Sequence, residues 1–292
     1  MTGKGIILAG GQGTRLWPMT KAVNKHVLPV YDKPMIHYPL ATLMLADIRD
    51  ILIISSPEAI PQLKALLGDG SELGLDIAYA EQARPAGIAE ALIIGADFIG
   101  SERVCLVLGD NVFYGNDLSQ LLEDAASRPV STIFGYYLTD PADLGVCVFD
   151  DDGRPVRLVE KPPTPVSNWV IPGLYFYEPE AIEIARNLEP SARGEYEITD
   201  LNMRLLEAGK LDVVRMGRGM LWMDCGTPEN LLEASEFVRV VEKRIGLQIS
   251  CIEEIAYAKK LIDADALRAL AAAAPSETQR TYLERLIRPS VA

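Results

Sequence analysis

With 292 residues, 49% of them hydrophobic and 24% charged, the chain has the length and apolar content to bury a large core, which excludes a disordered protein. Its 41 acidic and 28 basic side chains leave a formal charge of -13, which argues against nonspecific binding to a nucleic-acid polymer or an anionic membrane. An anionic nucleotide is compatible with that field where local basic groups and a divalent cation offset it.

Cys105, Cys147, Cys225 and Cys251 have neither zinc-ligand spacing nor the pattern of a disulfide framework, and His26 and His37 are too few for a multi-histidine metal centre. No apolar stretch has signal or membrane-spanning length, so a reduced, cytoplasmic protein is expected.

In chain order, Gly5-Ile6-Ile7-Leu8-Ala9 is a short apolar run that empties into Gly10-Gly11-Gln12-Gly13-Thr14-Arg15. A buried strand entering a tight turn fits this pattern. Backbone N–H groups of Gly10, Gly11 and Gly13 pointing one way would cradle an anion, with Arg15 as a cationic fork beside them. An ordinary glycine-rich turn is the competing reading. The nucleotide-triphosphatase loop requires a lysine that is missing here, and the dinucleotide fingerprint requires a glycine where Leu16 stands. Lys21 and Lys25 follow as candidate triphosphate contacts or as a solvated charged loop.

Pro34 to Ala46 has helical spacing, with Pro39 expected to bend or interrupt it. Ile51 to Ser56 reads as a second buried strand, followed by a helix over Ile60 to Leu67. Asp76 to Glu81 is a further strand whose loop carries Gln82 and Gly87, suited to reading a base edge or to a plain surface turn. Val104 to Leu108 is the third strong buried strand. Asp110 at its carboxyl end is placed either to hold a cation in a ligand crevice or to cap the following turn. Strand, helix, strand, helix and strand with short joins predict an α/β fold with a mostly parallel, doubly wound sheet.

Beyond residue 131 the pattern changes to strands over Ser131 to Leu138, Val146 to Phe149, Val156 to Glu160 and Ile171 to Tyr177, with a hairpin turn at Asp150 to Gly153. Glu160 and Lys161 place opposite charges at one strand end, as sugar and phosphate contacts or as an edge ion pair. A helix over Leu201 to Ala208 and a strand over Leu211 to Met216 precede Asp224. Thr227 before Pro228 predicts a capped helix start. The remainder is helical, with capping-box spacing at Ser276 and Gln279.

These residues carry a resemblance across almost the full length. L-A-G-G-x-G-T-R-L at Leu8 to Leu16, K-x-x-L-P-V-Y-D-K-P at Lys25 to Pro34, L-G-D-N at Leu108 to Asn111, E-K-P at Glu160 to Pro162, G-E-x-E-I-T-D at Gly194 to Asp200 and W-x-D-x-G-T at Trp222 to Thr227 occur in this order. The chain resembles the glucose-1-phosphate thymidylyltransferases, or dTDP-glucose pyrophosphorylases, of the sugar nucleotidyltransferase family. The resemblance implies a single nucleotidyltransferase domain over 1–292, with a Rossmann-like central sheet and helices on both faces. Sugar-binding insertions fall within about 131–225, and a helical C-terminal subregion spans about 228–292. It also implies a homotetramer that turns dTTP and α-D-glucose 1-phosphate into dTDP-glucose and pyrophosphate.

The same resemblance places Leu8, Gly10, Gly11, Gly13, Thr14, Arg15, Gln82, Gly87 and Asp110 at the nucleotide. Asn111, Leu144, Gly145, Glu160, Lys161, Ile171 and Glu195 fall at the sugar phosphate, and Asp110 and Asp224 at Mg2+. It names Arg15, Lys25, Asp110, Lys161 and Asp224 as the catalytic set. Three departures stand out: Ile88-Ala89-Glu90 replaces Leu-Ala-Gln, Leu144 occupies a frequent tyrosine position, and Pro172 replaces threonine. The competing functions are transfer from UTP or to another sugar 1-phosphate and, from a different class, a noncatalytic sugar-nucleotide sensor.

Overall fold

The computed structural model describes residues 3–288. The first apolar run forms β1 (Lys4–Ala9). After the glycine loop, β2 (Pro29–Val30) and β3 (Lys33–Pro34) pair as a small antiparallel hairpin. Helix α1 (His37–Leu45) carries no charged side chain, and Tyr38 through Met44 are all buried, as an all-round apolar helix requires. The expected bend at Pro39 does not occur, because the helix starts at His37 and puts Pro39 in its first turn, where the missing N–H has no intrahelical acceptor to lose.

β4 (Asp50–Ser55), α2 (Ile60–Leu67), β5 (Asp76–Glu81), α3 (Glu90–Ile94), α4 (Ala96–Ile99) and β6 (Val104–Leu108) complete the first half. β1 pairs in parallel with both β4 and β6, and β4 with β5. The chain therefore runs outward from β1 through β4 to β5 and returns to β6 on the other flank of β1. Strand order reverses between β1 and β6, and ligands of open α/β sheets bind outside the carboxyl ends at such a point.

β7 (Asn111–Tyr114) and α5 (Leu118–Ser127) lead into β8 (Ser131–Tyr137), β9 (Val146–Phe149), β10 (Pro155–Val159), β11 (Trp169–Val170) and β12 (Leu174–Tyr177). These extend the parallel block with antiparallel pairings, giving the order β10-β9-β11-β8-β12-β6-β1-β4-β5. The strand expected over Ile171 to Tyr177 is shortened to its second half. Pro172 has no N–H for a ladder, and the Gly173 N–H turns aside to the Asn111 side chain, so β12 begins at Leu174.

After α6 (Glu180–Arg186) and α7 (Ile198–Glu207), β13 (Leu211–Arg215) joins β8 in parallel and β14 (Leu221–Asp224) pairs with β7. Thr227 caps α8 (Pro228–Ile245) by accepting the Asn230 N–H, with Pro228 at its first position. α9 (Ile252–Ala258), α10 (Ala264–Ala273) and α11 (Glu277–Ile287) follow. Ser276 caps α11 through the Gln279 N–H, while the Gln279 side chain goes to Gln248 instead of closing the capping box.

Alternation along the central strands divides the core between two faces. Ile7, Ile53 and Val107 pack with Leu40 and Met44 of α1 and Ile252 of α9 on one side. Ile6, Leu52 and Leu106 pack with Leu92 of α3, Ile182 of α6 and Leu201 of α7 on the other. All four cysteines lie buried and unpaired.

Candidate active site

A crevice of about 1140 Å³ opens at the carboxyl ends of β1 and β6 and continues along the antiparallel extension. Its lining includes two charged clusters, Arg15 with Asp110 and Asp224, and Glu160 with Lys161 and Arg193, whereas Gly10, Gly11, Gly13, Thr14, Lys25, Gln82 and Gly87 are not among the lining residues. A smaller cleft of about 270 Å³, lined by Leu188, Glu189, Asp200, Met203 and Arg204, contains none of these groups.

At the end of β1 the backbone turns through Gly13 in the left-handed region, with φ 64°, and enters a short helical turn over Thr14–Leu16. The Leu16 N–H and the Thr20 hydroxyl both donate to the Gly13 carbonyl, which closes the loop. Gly11 supports Lys25, whose Cε and Nζ would each lie 3.3 Å from an added Cβ. Leu8 precedes the loop on β1, Thr14 is exposed, and the Arg15 side chain is 63% exposed. Lys21 points elsewhere, with its ammonium 5.9 Å from the Trp17 ring.

Asp110 follows β6. Lys25 donates to its Oδ2, and Asn111 Nδ2 donates to its Oδ1 at 3.0 Å. Burial pushes this carboxyl up, but the Lys25 charge and the hydrogen bonds from Lys25 and Asn111 hold it well below the ordinary carboxylate range. His26 is itself buried and stays neutral, its pKa lowered to about 3 by burial and then by the neighbouring Lys25 charge.

The β7–β14 pairing sets Asp224 opposite Asn111, and the Cys225 N–H donates to the Asp110 carbonyl at 2.9 Å. Asp224 Oδ1 accepts the Gly226 N–H at 2.8 Å, and Arg15 Nη2 lies 4.0 Å from Oδ2. Burial and then the Asp110 charge raise the Asp224 pKa to about 6. Two mutually repelling carboxylates from separate elements offer oxygen-only donors, the chemistry of a hard divalent cation. Among the described residues no third acid, histidine or cysteine completes a metal cluster with them. The pair therefore fits a cation whose remaining ligands come from phosphate and water.

Gln82, directly after β5, is 5% exposed and reaches across Gly10; an added Cβ there would lie 2.0 Å from Gln82 Oε1. Gly87 has φ 108°, and its missing Cβ would lie 2.4 Å from the Tyr196 carbonyl oxygen.

In the second cluster, Glu160 Oε2 accepts the Thr199 hydroxyl and Oε1 accepts Arg193 Nη2 at 3.1 Å, with Lys161 Nζ 3.8 Å away. Arg193 also donates to Glu197 at 2.9 Å and lies 3.7 Å from Glu195. Gly145 leaves room beside Thr199 and Glu160, and its carbonyl accepts the Ile171 N–H at 2.9 Å. Leu144, Leu138, Ile171 and Tyr136 supply an apolar wall. Arg193 and Thr199 were not among the site residues expected from sequence. The signal for Arg193 was slight, a lone arginine immediately before Gly194-Glu195.

A carboxylate pair and two groups of cations on one crevice at the sheet's switch point, with the glycine loop ahead of Arg15 beside it, define a nucleotidyltransferase-like site. The Nucleotidyl transferase family model matches residues 4–240. A glucose-1-phosphate thymidylyltransferase of Neisseria meningitidis serogroup A is 51% identical over 286 residues, covering 98% of this chain and 99% of the relative. Another, from Xanthomonas campestris pv. campestris, is 50% identical over 284 residues, covering 97% and 96%. A Bacillus anthracis crystal structure described as a glucose-1-phosphate thymidylyltransferase with sucrose is 37% identical at a TM-score of 0.75, covering 81% of this chain and 95% of that one. The chain belongs to the glucose-1-phosphate thymidylyltransferase family of sugar nucleotidyltransferases. No described helix is long and apolar enough to cross a membrane.

Proposed function

We propose that the chain transfers a thymidylyl group from dTTP to α-D-glucose 1-phosphate, giving dTDP-glucose and pyrophosphate. The observation that carries this reading is the single crevice lined by Asp110, Asp224 and Arg15 in one cluster and by Glu160, Lys161 and Arg193 in another. Its two cationic clusters suit two phosphate-bearing substrates, and the full-length relatives bear the matching name.

A phosphate oxygen of the sugar phosphate forms a bond to the α-phosphorus, while the bond from that phosphorus to the bridging oxygen breaks and pyrophosphate leaves with the electron pair. No side-chain nucleophile is required, so catalysis rests on positioning and charge stabilisation. Gly10, Gly11, Gly13 and Thr14 present backbone N–H groups to the triphosphate, and Arg15 and Lys25 neutralise it. Gln82 and Gly87 read the base. Lys161 and Arg193 hold the sugar phosphate, while Glu160, steadied by Thr199, accepts from sugar hydroxyls near Gly145, Leu144 and Ile171. Asn111 keeps Asp110 oriented, and Glu195 adds a carboxylate beside Arg193. Asp110 and Asp224 are the residues that would hold Mg2+, which supplies charge neutralisation of the nucleotide phosphates.

In this reading the whole chain is one domain that assembles as a cytoplasmic homotetramer. The deciding experiment incubates the purified protein with Mg2+, each nucleoside triphosphate and a panel of sugar 1-phosphates, with products identified by mass. dTDP-glucose as the preferred product supports the assignment. Preference for UTP or another sugar replaces it, and nucleotide binding without product identifies a sensor.

A further inference from the structure

Lys25 reaches Asp110 from a short helical turn over Lys25–Val27, and the next residue of that turn, His26, is 1% exposed. Asn24 caps the turn: its Oδ1 accepts the His26 backbone N–H at 2.9 Å and lies 2.7 Å from His26 Nδ1. An oxygen that accepts the backbone N–H has no proton to give, so the proton of the second contact sits on Nδ1 and the imidazole is held in that tautomer. The opposite edge of the ring rests on Gly109, where an added Cβ would lie 2.6 Å from His26 Cδ2 and 2.8 Å from Nε2. Gly109 immediately precedes Asp110 and is tied to β1, its N–H donating to the Leu8 carbonyl at 2.9 Å. The turn is braced on two further sides. The Asn24 N–H donates to Gln62 Oε1 of α2 at 3.1 Å, and the His26 carbonyl accepts the Ile36 N–H at 2.9 Å.

We propose that His26 is a positioning residue for Lys25: its ring, pinned to Asn24 on one edge and seated on Gly109 by the other, fixes the spacing between the Lys25 turn and Asp110. The Lys25 ammonium is thereby presented to Asp110 and to the nucleotide phosphates from one place. The inference rests on Lys25 neutralising the triphosphate in the proposed reaction. A lysine is a compact charge on a flexible four-carbon stem, so its own covalent structure does not fix where that charge stands. Anchoring the base of the stem supplies the limit. Charge on a departing pyrophosphate is met effectively only by a donor already in position, and a displacement of about 1 Å can cost about a hundredfold in rate.

The test measures dTDP-glucose formation by His26→Leu, Asn24→Ser and Lys25→Met, and by His26→Leu combined with Lys25→Met. His26→Leu fills the buried site without the Nδ1 donor, and Asn24→Ser keeps a cap for the backbone N–H while withdrawing the acceptor from the ring. Each of these two should lower kcat/KM for dTTP about tenfold, with KM for glucose 1-phosphate held within about twofold. His26→Asn, whose amide nitrogen still donates to Asn24, should recover kcat/KM to within about threefold of wild type. Lys25→Met removes the ammonium that is to be positioned, so adding His26→Leu to it should change the residual kcat/KM by less than about twofold.

A further loss of about tenfold in the double variant would overturn the assignment, because His26 would then act on the site independently of Lys25. So would wild-type kcat/KM in His26→Leu and Asn24→Ser proteins of unchanged circular dichroism, or a His26→Asn protein as impaired as His26→Leu. If His26→Leu does not fold, the same cycle is run with Asn24→Ser, which leaves the buried ring in place. Wild-type protein that forms no dTDP-glucose fails the reaction itself, an outcome visible before any variant is made.

Discussion

Lys25 and Asp110, 85 residues apart in sequence, meet in a direct ion pair at the end of β6, and each side chain is only 12% exposed. The loop after β1 is thereby tied to the carboxylate that follows the neighbouring strand. Replacing Lys25 by methionine leaves Asp110 buried with its charge supported chiefly by Asn111. Breaking such a pair costs about 3 kcal/mol or more, so the urea midpoint should fall in chelator-treated protein. An unaltered midpoint would show that the pair adds nothing to stability.

Asp110→Asn and Asp224→Asn keep side-chain size and remove one negative charge each. Both should lower Mg2+-dependent pyrophosphate release by about a hundredfold or more, the scale of losing a charge-stabilising group, with unchanged circular dichroism. Near-normal turnover in the two variants rejects their assignment as cation ligands.

The raised pKa of Asp224, about 6 against the ordinary aspartate value of 3.8, also fixes a stability trend. Between about pH 4 and 6 the native state binds more protons than the unfolded chain, so stability without divalent cation falls as pH rises through that window, by on the order of 2 kcal/mol. Asp110 works in the opposite direction at lower pH: its depressed pKa contributes stability that disappears as pH drops below the ordinary aspartate range. Urea unfolding in chelator at pH 4.5 and 7 should show Asp224→Asn gaining more stability relative to wild type at pH 7 than at pH 4.5. Equal differences at both pH values would contradict the shift.

Arg193→Met removes a cation from the second cluster of the crevice and a donor from Glu160. KM for glucose 1-phosphate should rise about tenfold or more, while KM for dTTP stays within about twofold, because the lost contact is local to one substrate. Steady-state kinetics with each substrate varied in turn separates this from a general loss of folding.

The half of the site built on β1, β5 and β6 was legible in the sequence because its signals are local. Short apolar runs ending in Gly10, Gln82 and Asp110 announced both the strands and the chemistry at their ends. The half around Glu160 depends on partners distant in sequence. Arg193 acquires meaning only when α7 and the loop before it are brought to Glu160, and the break at Pro172–Gly173 appears once the Asn111 side chain is seen competing for the Gly173 N–H. Pro39 misled for a different reason: its effect depends on the position of the helix start, and the apolar spacing around it did not fix that position.

The Asn111 amide serves three masters at once. Its nitrogen donates to Asp110, while its oxygen accepts from the Gly173 backbone and from Trp222 Nε1 at 2.6 Å. One side chain thus sets the spacing between the strand that ends before Asp110, the segment that leads into β12 and the β7–β14 pair that carries Asp224. Engineering of substrate range therefore has freedom at the two extremities of the crevice and almost none at its centre. A larger base or a different sugar changes what an end must accommodate, whereas any shift at Asn111 alters the distance over which the two substrates must find each other.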